Sequence, residues 1–476
     1  MKKSLLIRSA TLYFAVVSIV TASAQTKEIT ILAVNDMHAS IDRFPKFVAL
    51  VDSMRTAHPN LLLFSAGDNR TGNPVNDMYP QPSHPMTALM NRAGFNLSVI
   101  GNHEFDGGVD GLRYVLNHSN FRYVCANFYA PDSLRLHIEP YKIFEIEGVK
   151  IAVLGLIQRG EGGLPEAHPN KMTNMKFYSP LEVAIQYGWL RYFCDIFIVL
   201  AHEGYEESIG IVNQYPFADL LISGHTHYVT KDTEIHNNVL ITQADAKLKY
   251  VTHITLQLTD GKVTKKEARA LSVDAFSQKD HEVELMVNTF NNSESLHRVL
   301  TQAITDFSNY EELGCMMTDA IRIETGADIA FQNPGGVRFG AFSKGPFTVK
   351  DVYQLDPFGN EVIQYNLTGE EVLRLIAAAY IADNGAAYVS GITYRIELDN
   401  QKQIKNIEVT MADGSPINLQ NTYKVVMNSY LAAVSQYEKS DKGRGLYRTT
   451  ADATIEYLEK QQSVDYAGVN RVIINN

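Results

Sequence analysis

Five short segments rich in Asp, Asn and His each follow an apolar run in the first half of the chain. Their metal-ligating or acid–base side chains are Asp36 and His38, Asp68, Asn102 and His103, His202, and His225 and His227. Carboxylate oxygens, imidazole nitrogens and an amide oxygen together suit a borderline divalent metal ion. A single Asp or His after a strand is more often a turn former, a helix cap or a satisfied polar residue. Five in succession are not explained by capping, so we predict a metal centre.

The spacing within two segments places paired side chains on a shared side of the chain. In Asp36-x-His38 and His225-x-His227, alternate residues of an extended segment point the same way, so each pair can serve a common site. The positions are too many for one tetrahedral ion, so we predict two ions bridged by a carboxylate and a water. Two ions about 4 Å apart clamp both sides of an in-line phosphoryl displacement and supply hydroxide near neutral pH.

His103 is the residue that we expect to stay free for acid–base or electrostatic work. The apolar run 97–100 predicts a buried strand, and Gly101 lets the chain turn sharply after it. Asn102 and His103 then lie at a strand's carboxyl end, where open α/β sheets carry their sites. Asn102 offers a neutral oxygen ligand, whereas the next side chain points elsewhere. Asp106 lies close enough to hold the imidazole by a hydrogen bond.

Apolar strands alternate with helices around these segments, which is the βαβ pattern of a layered α/β sheet. The predicted strands are residues 29–34, 61–64, 97–100, 150–156, 195–200 and 218–222. The predicted helices are residues 46–55, 85–93 and 180–191. Residues 239–242 and 250–258 are expected to be antiparallel strands that close the domain. Residues 262 to about 296 are expected to form a connecting region that contains helix and leads into a long helix from about Glu294.

Length and composition define the class of the protein. At 476 residues the chain is too long for one ordinary core, so two domains are expected. Its 45% apolar and 20% charged content is that of a soluble globular protein. The net charge of −11 argues against a nucleic-acid polymer as partner, because phosphate backbones bind basic surfaces. A small phosphorylated substrate stays possible, since bound metal supplies positive charge locally. The oligomeric state stays open.

Residues 1–24 have the pattern of an export signal. Lys2 and Lys3 form a charged start, residues 12–20 are an apolar run, and Ala22-Ser23-Ala24 resembles a cleavage site. The apolar run is shorter than the roughly 20 residues needed to cross a bilayer, and no Cys follows the cleavage site. We therefore predict an exported protein, periplasmic or secreted, without a membrane or lipid anchor.

The cysteines Cys125, Cys194 and Cys315 are too few for a disulfide scaffold. Cys125 and Cys194 lie in or next to apolar runs, where we expect buried thiols. The sequence leaves open whether two of these cysteines form a single disulfide bond.

The five segments together resemble the motif set of the calcineurin-like dimetal phosphoesterases. The matching stretches are Asp36-x-His38, Gly67-Asp68, Gly101-Asn102-His103-Glu104, Ala201-His202-Glu203-Gly204 and Gly224-His225-Thr226-His227. In order and spacing they most resemble the 5'-nucleotidase branch, which includes periplasmic UDP-sugar hydrolases. The resemblance implies an α/β fold whose residues 25–262 form a four-layer β-sandwich flanked by helices. It also implies a connecting region, residues 263–296, and a smaller α/β substrate-binding domain, residues 297–476.

The family pattern, transferred to the matching positions, implies two metal sites that share one carboxylate. The implied ligands of the first ion are Asp36, His38, Asp68 and His227. The implied ligands of the second are Asp68, Asn102, His202 and His225, with Asp68 as the bridge. The resemblance further implies that His103 stabilises the transition state or assists the leaving group, and that Asp106 orients it. Some relatives carry Gln in place of His227, and zinc, manganese and similar divalent ions all accept these ligands.

In the second domain, the stretch 331–338 is suited to anion binding. Its Gly-Gly turn brings backbone N–H groups close to an anion, and Arg338 can bind phosphate bidentately. An ordinary turn that carries a surface arginine explains this stretch equally well. With residues 356–360 and 367–372, the stretch resembles the C-terminal specificity domain of 5'-nucleotidases. The implied substrate-binding residues are Asn102, Asn333, Gly335, Gly336, Arg338 and Tyr388.

The resemblance to this family is weaker in the segments with which its members bind the nucleobase. The chain after residues 428–433 lacks the family's glycine cluster, and Ala386 and Ala387 stand near the expected aromatic residue. Tyr388, Tyr437 and Tyr447 are candidates for the missing stacking surface, against the alternative that each is a packed surface tyrosine.

These patterns predict an exported metal-dependent phosphohydrolase, most directly a 5'-nucleotidase that acts on a small nucleotide. Three alternatives share the metal centre: a 2',3'-cyclic nucleotide phosphodiesterase, a UDP-sugar or nucleotide pyrophosphate hydrolase, and a thiosulfate-ester hydrolase. A non-catalytic binding protein is the alternative from another class.

Overall fold

The computed structural model of the chain describes residues 26–160, 162–382 and 385–475. The predicted signal peptide, residues 1–24, lies outside this described part. Across the three ranges, no helix combines the length and the apolar character that crossing a bilayer requires.

Strands and helices alternate through the first half of the described chain. The strands are β1 (Thr26–Val34), β2 (Leu62–Ser65), β3 (Leu97–Val99), β4 (Arg122–Val124), β5 (Phe128–Tyr129), β6 (Tyr141–Ile146), β7 (Val149–Ile157), β8 (Lys176–Phe177), β9 (Ile196–His202), β10 (Leu220–Ser223), β11 (Glu234–His236), β12 (Val239–Thr242), β13 (Tyr250–Thr259) and β14 (Lys262–Ser272). The helices are α1 (Phe44–Ala57), α2 (Pro74–Asp77), α3 (His84–Ala93), α4 (Gly108–His118), α5 (Pro180–Gln186) and α6 (Tyr205–Gln214).

Two six-stranded sheets pack face to face in this half, with the strand orders β14-β13-β1-β2-β3-β4 and β11-β12-β10-β9-β7-β6. Within them, β1 to β4 run parallel, as do β7, β9, β10 and β12. Inward side chains such as Ile31, Phe64 and Ile198 form the core between the sheets. Helices α1 and α3 cover the outer face of the first sheet, and α5 and α6 cover that of the second. These layers confirm the predicted four-layer α/β fold.

The second half contains a five-stranded mixed sheet and two three-stranded sheets. Its strands are β15 (Val299–Ala303), β16 (Ile329–Gln332), β17 (Gly345–Thr348), β18 (Glu361–Thr368), β19 (Tyr388–Ser390), β20 (Ile392–Leu398), β21 (Ile404–Met411), β22 (Thr422–Asn428), β23 (Arg444–Thr449), β24 (Ser463–Val464) and β25 (Val472–Asn475). The helices are α7 (His281–Asn291), α8 (Glu294–His297), α9 (Tyr310–Thr325), α10 (Val349–Leu355), α11 (Gly369–Ala382), α12 (Ser429–Val434) and α13 (Thr450–Lys460). The central sheet, ordered β19-β16-β22-β18-β23, packs against α9 and α13 on one face and against α11 on the other.

The structure corrects four details of the sequence prediction. Residues 262–272, predicted as connecting region, form β14, which pairs with β13 at the edge of the first sheet. The long helix expected from about Glu294 is instead the one turn of α8 followed by β15, and the long helix is α9. Strand β12 lies parallel to β10 in the second sheet rather than beside β13. The predicted helix 180–191 ends at Gln186 and continues as a 3-10 turn from Gly188.

All three cysteines are free thiols, with Cys125 and Cys315 buried and Cys194 half-buried. Burial raises the pKa of the Cys315 thiol to about 12 and also raises the pKa of Cys194. These thiols are therefore protonated near neutral pH.

Candidate metal centre and substrate cleft

The carboxyl ends of parallel strands bring the seven predicted ligands together. In the first sheet, Asp36 and His38 follow β1, Asp68 follows β2, and Asn102 follows β3. In the second sheet, His202 ends β9, and the two histidines of segment 225–227 follow β10. Ligands from both sheets therefore meet at one edge of the sandwich.

The first candidate ion site lies between Asp36, His38 and His227. The Nε2 atoms of the two histidines are 3.1 Å apart, and Asp36 Oδ1 lies 3.5 Å from His227 Nε2 and 3.9 Å from His38 Nε2. Asp36 Oδ2 accepts hydrogen bonds from the Asn35 amide and the His225 backbone N–H. The buried Oδ1, in contrast, has no hydrogen-bond partner in the described part of the chain. A cation would satisfy this oxygen, so the residues fit a metal ion.

The second candidate ion site lies between Asp68, His202 and His225, with Asn102 beside them. His202 Nε2 lies 3.2 Å from Asp68 Oδ2 and 3.0 Å from Asn102 Oδ1. The same amide oxygen lies 3.1 Å from His225 Nδ1. One carboxylate, two imidazoles and one amide oxygen therefore converge at the second candidate ion site.

Asp68 lies between the two candidate ion sites. Its carboxylate lies within 4.8 Å of the ligand atoms of His38 in the first site and of His202 and His225 in the second. The backbone N–H of His103 donates to Asp68 Oδ1 at 2.8 Å. A Cβ atom at Gly101 would lie only 2.2 Å from the same oxygen. Glycine at this position therefore leaves the space that the shared carboxylate occupies.

Backbone carbonyl groups fix the orientation of two ligand imidazoles. His38 Nδ1 lies 3.0 Å from the carbonyl oxygen of Thr71, and His202 Nδ1 lies 2.7 Å from that of Ala66. An Nδ1–H donated to a carbonyl leaves the Nε2 lone pair available for a metal ion. Both Nε2 atoms face the candidate ion sites.

Five of the predicted ligands have a left-handed backbone, which side-chain-bearing residues rarely adopt. Their φ angles are 49° for Asp36, 45° for His38, 52° for Asp68, 81° for His225 and 55° for His227. Such conformations cost energy and persist where the surrounding structure enforces them, commonly at functional sites. The strand ends are therefore shaped for the site rather than for local stability.

The electrostatics of the centre favour a cation. Burial opposes ionisation of Asp68, but the imidazoles of His202 and His103 hold the pKa of its carboxyl well below its usual value. Burial also opposes a charge on His202, yet the carboxylates of Asp68 and Asp36 raise its pKa to about 10. Burial and the Arg338 guanidinium lower the pKa of His38 well below its usual value. Positive charge is thus stabilised beside the carboxylates, where a metal ion would replace the proton on His202, while His38 is already neutral.

The predicted hydrogen bond between His103 and Asp106 is present, with 2.8 Å between Nδ1 and Oδ2. Burial opposes protonation of the imidazole, but the carboxylates of Asp68 and Asp106 raise the pKa of His103. Its Nε2 lies 3.9 Å from Asp68 Oδ2. The side chain is therefore placed beside the metal centre as a hydrogen-bond donor.

A cleft of about 820 Å³ opens from the metal centre toward the second half of the chain. Five of the six residues predicted to bind substrate line it: Asn102, Asn333, Gly335, Gly336 and Arg338. The Arg338 Nη2 atom lies 3.4 Å from His38 Nε2, so the guanidinium reaches the first candidate ion site. An anion bound at the metal centre would contact residues from both halves.

Tyr388 is not brought into the cleft. It lies in β19, and its ring covers Gly314 of α9, where an added Cβ atom would come within 2.2 Å of the tyrosine Cδ2. Neither Tyr388, Tyr437 nor Tyr447 is among the described residues that line the cleft, and Tyr447 is 99% exposed. The aromatic residues that line the cleft are Phe358, Tyr365 and Tyr430.

Two residues to which the sequence analysis gave no role support the site. Glu104 Oε2 accepts the backbone N–H groups of Asp68 and Gly101, at 3.0 and 2.6 Å. The carbonyl oxygen of Glu166 accepts a hydrogen bond from Asn102 Nδ2 at 3.0 Å, which turns the amide oxygen toward the second candidate ion site. Glu104 belongs to the matched stretch Gly101-Asn102-His103-Glu104, so the sequence could have indicated a role for it. Glu166 lies 64 residues from Asn102, and no local pattern marks it.

Two family models match the chain. Residues 29–229 match the calcineurin-like phosphoesterases, and residues 293–437 match the 5'-nucleotidase C-terminal domain. The first match contains all seven predicted metal ligands, and the second contains Arg338. Fold and site thus define a calcineurin-like phosphoesterase, a class of hydrolases that use divalent metal ions.

The relatives agree with both matches. A 5'-nucleotidase of Vibrio cholerae is 25% identical over 561 residues, which cover 99% of this chain and 98% of that protein. The endonuclease YhcR of Bacillus subtilis is 25% identical over 95% of this chain, and the chain spans 41% of its length. A solved 5'-nucleotidase precursor from Thermus thermophilus has the same fold, with a TM-score of 0.83, 23% identity and coverage of 94% of this chain and 100% of that one.

With both matches in this order, the chain resembles the 5'-nucleotidase branch of the calcineurin-like phosphoesterases along most of its length. The family resemblance predicted from the sequence motifs is confirmed.

Proposed function

We propose that this chain is an exported 5'-nucleotidase, which releases phosphate from nucleoside monophosphates. The observation that carries the proposal is the convergence of the predicted ligands at a cleft whose opposite wall supplies Arg338. The family matches support phosphoester hydrolysis, and the names of full-length relatives support a nucleotide as substrate.

Two divalent ions, zinc, manganese or similar, fit the carboxylate, imidazole and amide groups of the centre. Bound there, they supply Lewis acidity and make hydroxide available near neutral pH. The proposed metal ligands are those implied by the family pattern, with Asp68 shared between the ions. They are Asp36, His38, Asp68, Asn102, His202, His225 and His227.

The chain's own groups bind the phosphate and balance its charge. Arg338 holds phosphoryl oxygens from one side, and Asn102 and His103 face them from the other. The Gly336 backbone N–H, which the sequence suggested for anion binding, instead donates to the Asn333 carbonyl oxygen at 3.1 Å. During the reaction a water oxygen bonds to phosphorus, and the bond from phosphorus to the ribose oxygen breaks. His103, held by Asp106, donates its Nε2 proton to the departing oxygen and thereby stabilises the developing charge.

A nucleotide with a second anionic group is the second candidate substrate. The cleft volume of about 820 Å³ is near the upper end for small-molecule sites, and Lys442 and Arg444 also line its wall. Basic side chains suit a further phosphate, as in a nucleotide sugar or another pyrophosphate. The same metal centre would serve either substrate.

Hydrolysis by residues 25–476, measured as release of phosphate and as formation of nucleosides and nucleoside monophosphates, tests both candidates. The substrate panel contains nucleoside monophosphates, 2',3'-cyclic nucleotides, nucleotide sugars and simple phosphoesters, each with added zinc or manganese. We expect selective hydrolysis of 5'-monophosphates. Preference for cyclic or pyrophosphate substrates would keep the metal centre and overturn the nucleotidase assignment, whereas inactivity on every substrate by metal-loaded protein would favour a binding protein.

Matched variants separate the proposed roles. His103→Ala should lower turnover far more than metal content, while equal loss of both would make His103 a ligand or a structural residue. His118→Ala removes an imidazole that hydrogen-bonds within its own helix, 2.8 Å from the Tyr114 carbonyl oxygen, and serves as the control.

Export and domain boundaries are part of the proposal. Residues 1–24 are proposed to be cleaved on export, which N-terminal sequencing of protein from a secreting host would test.

The first domain, proposed as residues 25–262, is extended to Ser272 because β14 pairs along β13. Limited proteolysis is expected to cut between Ser272 and the start of the second domain, proposed near residue 297.

A further inference from the structure

Phe358 contacts the imidazole of His103 from the opposite half of the molecule. The two ring centroids are 5.6 Å apart and the ring planes differ by 26°, which is a stacked arrangement. Phe358 follows α10 in the second half, whereas His103 follows β3 in the first. The pair therefore joins the two walls of the cleft at the residue that carries the proposed acid chemistry.

Other described contacts of His103 involve one ring nitrogen, the backbone N–H and the ring of His38. Asp106 holds Nδ1 at 2.8 Å, and the His103 backbone N–H donates to Asp68 Oδ1 at 2.8 Å. The ring of His38 meets the imidazole edge to face, with 5.2 Å between centroids and 68° between planes. A hydrogen bond at one nitrogen still allows the ring to rock about that bond. The parallel ring of Phe358 opposes this motion.

Phe358 is itself held by buried hydrogen bonds in the second half. The Asp356 carboxylate, 2% exposed, accepts the Thr450 hydroxyl and the Phe358 backbone N–H. The carbonyl oxygen of Asn360 accepts the Thr450 N–H at 2.9 Å. The guanidinium carbon of Arg338 lies 5.5 Å from the centre of the Phe358 ring. The phenyl ring is thus placed by its own half and does not depend on His103 for its position.

We propose that Phe358 is a positioning residue for His103. Its ring keeps the imidazole in the orientation in which Nδ1 bonds to Asp106 and Nε2 faces the metal centre. The catalytic arrangement of the first half is therefore complete only when the second half is in place. This inference rests on the proposed function for its kinetic consequence, whereas the contact itself can be observed without turnover.

A double-mutant cycle measures the kinetic consequence. With p-nitrophenyl phosphate, which carries no nucleoside to fill the cleft, Phe358→Ala should lower kcat about 3- to 10-fold, the range expected for an aromatic pair. KM, metal content and melting temperature should change little. Phe358→Tyr should restore kcat, and Phe358→Leu, which keeps volume without a parallel ring, should not. In the His103→Ala background, Phe358→Ala should cause no further loss. If Phe358→Ala lowered kcat by the same factor in the parent protein and in the His103→Ala variant, the proposal would be overturned.

Spectra of protein with ¹⁵N-labelled histidine test the contact without turnover. The chain has 14 histidines, and the His103→Ala spectrum identifies the signals of His103. The parent protein should show one ordered imidazole protonated at Nδ1, and Phe358→Ala or Phe358→Leu should shift or broaden that signal. Unchanged His103 signals in both variants would overturn the positioning role even if the enzyme is active. Changed signals in a protein that hydrolyses no ester would uphold the positioning role and refute the proposed function.

Discussion

Replacing Gly101 by Ala tests whether the close packing at Asp68 determines metal binding. The backbone angles at Gly101, φ −97° and ψ 176°, are accessible to alanine, so the substitution adds no backbone strain. The new Cβ atom, however, would lie 2.2 Å from Asp68 Oδ1 and 2.4 Å from Asp68 N. Ordinary contacts begin near 3.4 Å, so the shared carboxylate or its backbone must move by about 1 Å.

A shift of this size affects both stability and metal affinity. Overpacking of a dense interior costs about 1–3 kcal/mol. Displacing groups that orient metal ligands weakens metal binding by about 10- to 100-fold. Since Asp68 lies between both candidate ion sites, we expect Gly101→Ala to lose affinity for both ions and to lose activity at limiting metal.

The assay is a calorimetric titration of chelator-treated protein with zinc or manganese, followed by thermal melts and hydrolysis rates. Gly210→Ala is the matched control, because Gly210 lies in α6 and a Cβ atom there meets nothing within 4 Å. This control should be neutral or more stable by up to about 1 kcal/mol. Metal affinity in Gly101→Ala equal to that of the parent would refute the packing argument.

Four further outcomes are expected. Asp106→Asn should lower kcat about 10- to 100-fold with metal content unchanged, because it weakens a charge-assisted hydrogen bond to His103; rates and metal analysis check this. Arg338→Lys should raise KM for phosphoesters nearly as much as Arg338→Ala, because a lysine does not reproduce a bidentate contact; steady-state kinetics decide. Burial raises the pKa of Asp356 to about 6, above its value in the unfolded chain. The protonated carboxyl therefore stabilises the fold at pH 4, and this contribution of about 3 kcal/mol to the free energy of unfolding is lost as the pH rises through 6. Urea unfolding in chelator should show this loss of stability, and the Asp356→Asn variant should not show it. Chelation of the parent protein should abolish hydrolysis and lower the melting temperature, with both restored by added metal; hydrolysis that persists in metal-free protein would contradict the dimetal centre.

Local patterns allowed much of the site to be predicted. The residues directly before Asp36, Asp68 and Asn102 are mostly apolar and are buried on both faces of the sheet, which makes these strands recognisable in a sequence. The hydrogen bond from His103 to Asp106 joins residues three apart, so spacing alone indicated it. Such features depend on near neighbours in the chain.

Features that depend on distant partners were missed or misplaced. Strand β14 lies at a sheet edge with lysines on its exposed side, and pairing with β13 rather than apolar alternation makes it a strand. Tyr388 was expected to contact substrate, but the pairing of β19 with β16 and the small residue Gly314 direct its ring onto α9. Neither partner is near Tyr388 in the sequence.

The sequence by itself determined the fold class, the alternation of strands and helices in the first half and the chemical types of the ligands, because apolar periodicity and short motifs encode these locally. Only the tertiary structure decided that five ligands take left-handed backbones and that Phe358 meets His103 across the cleft. These features arise where segments far apart in the chain pack against one another, and the energy of that packing enforces conformations that no local pattern favours.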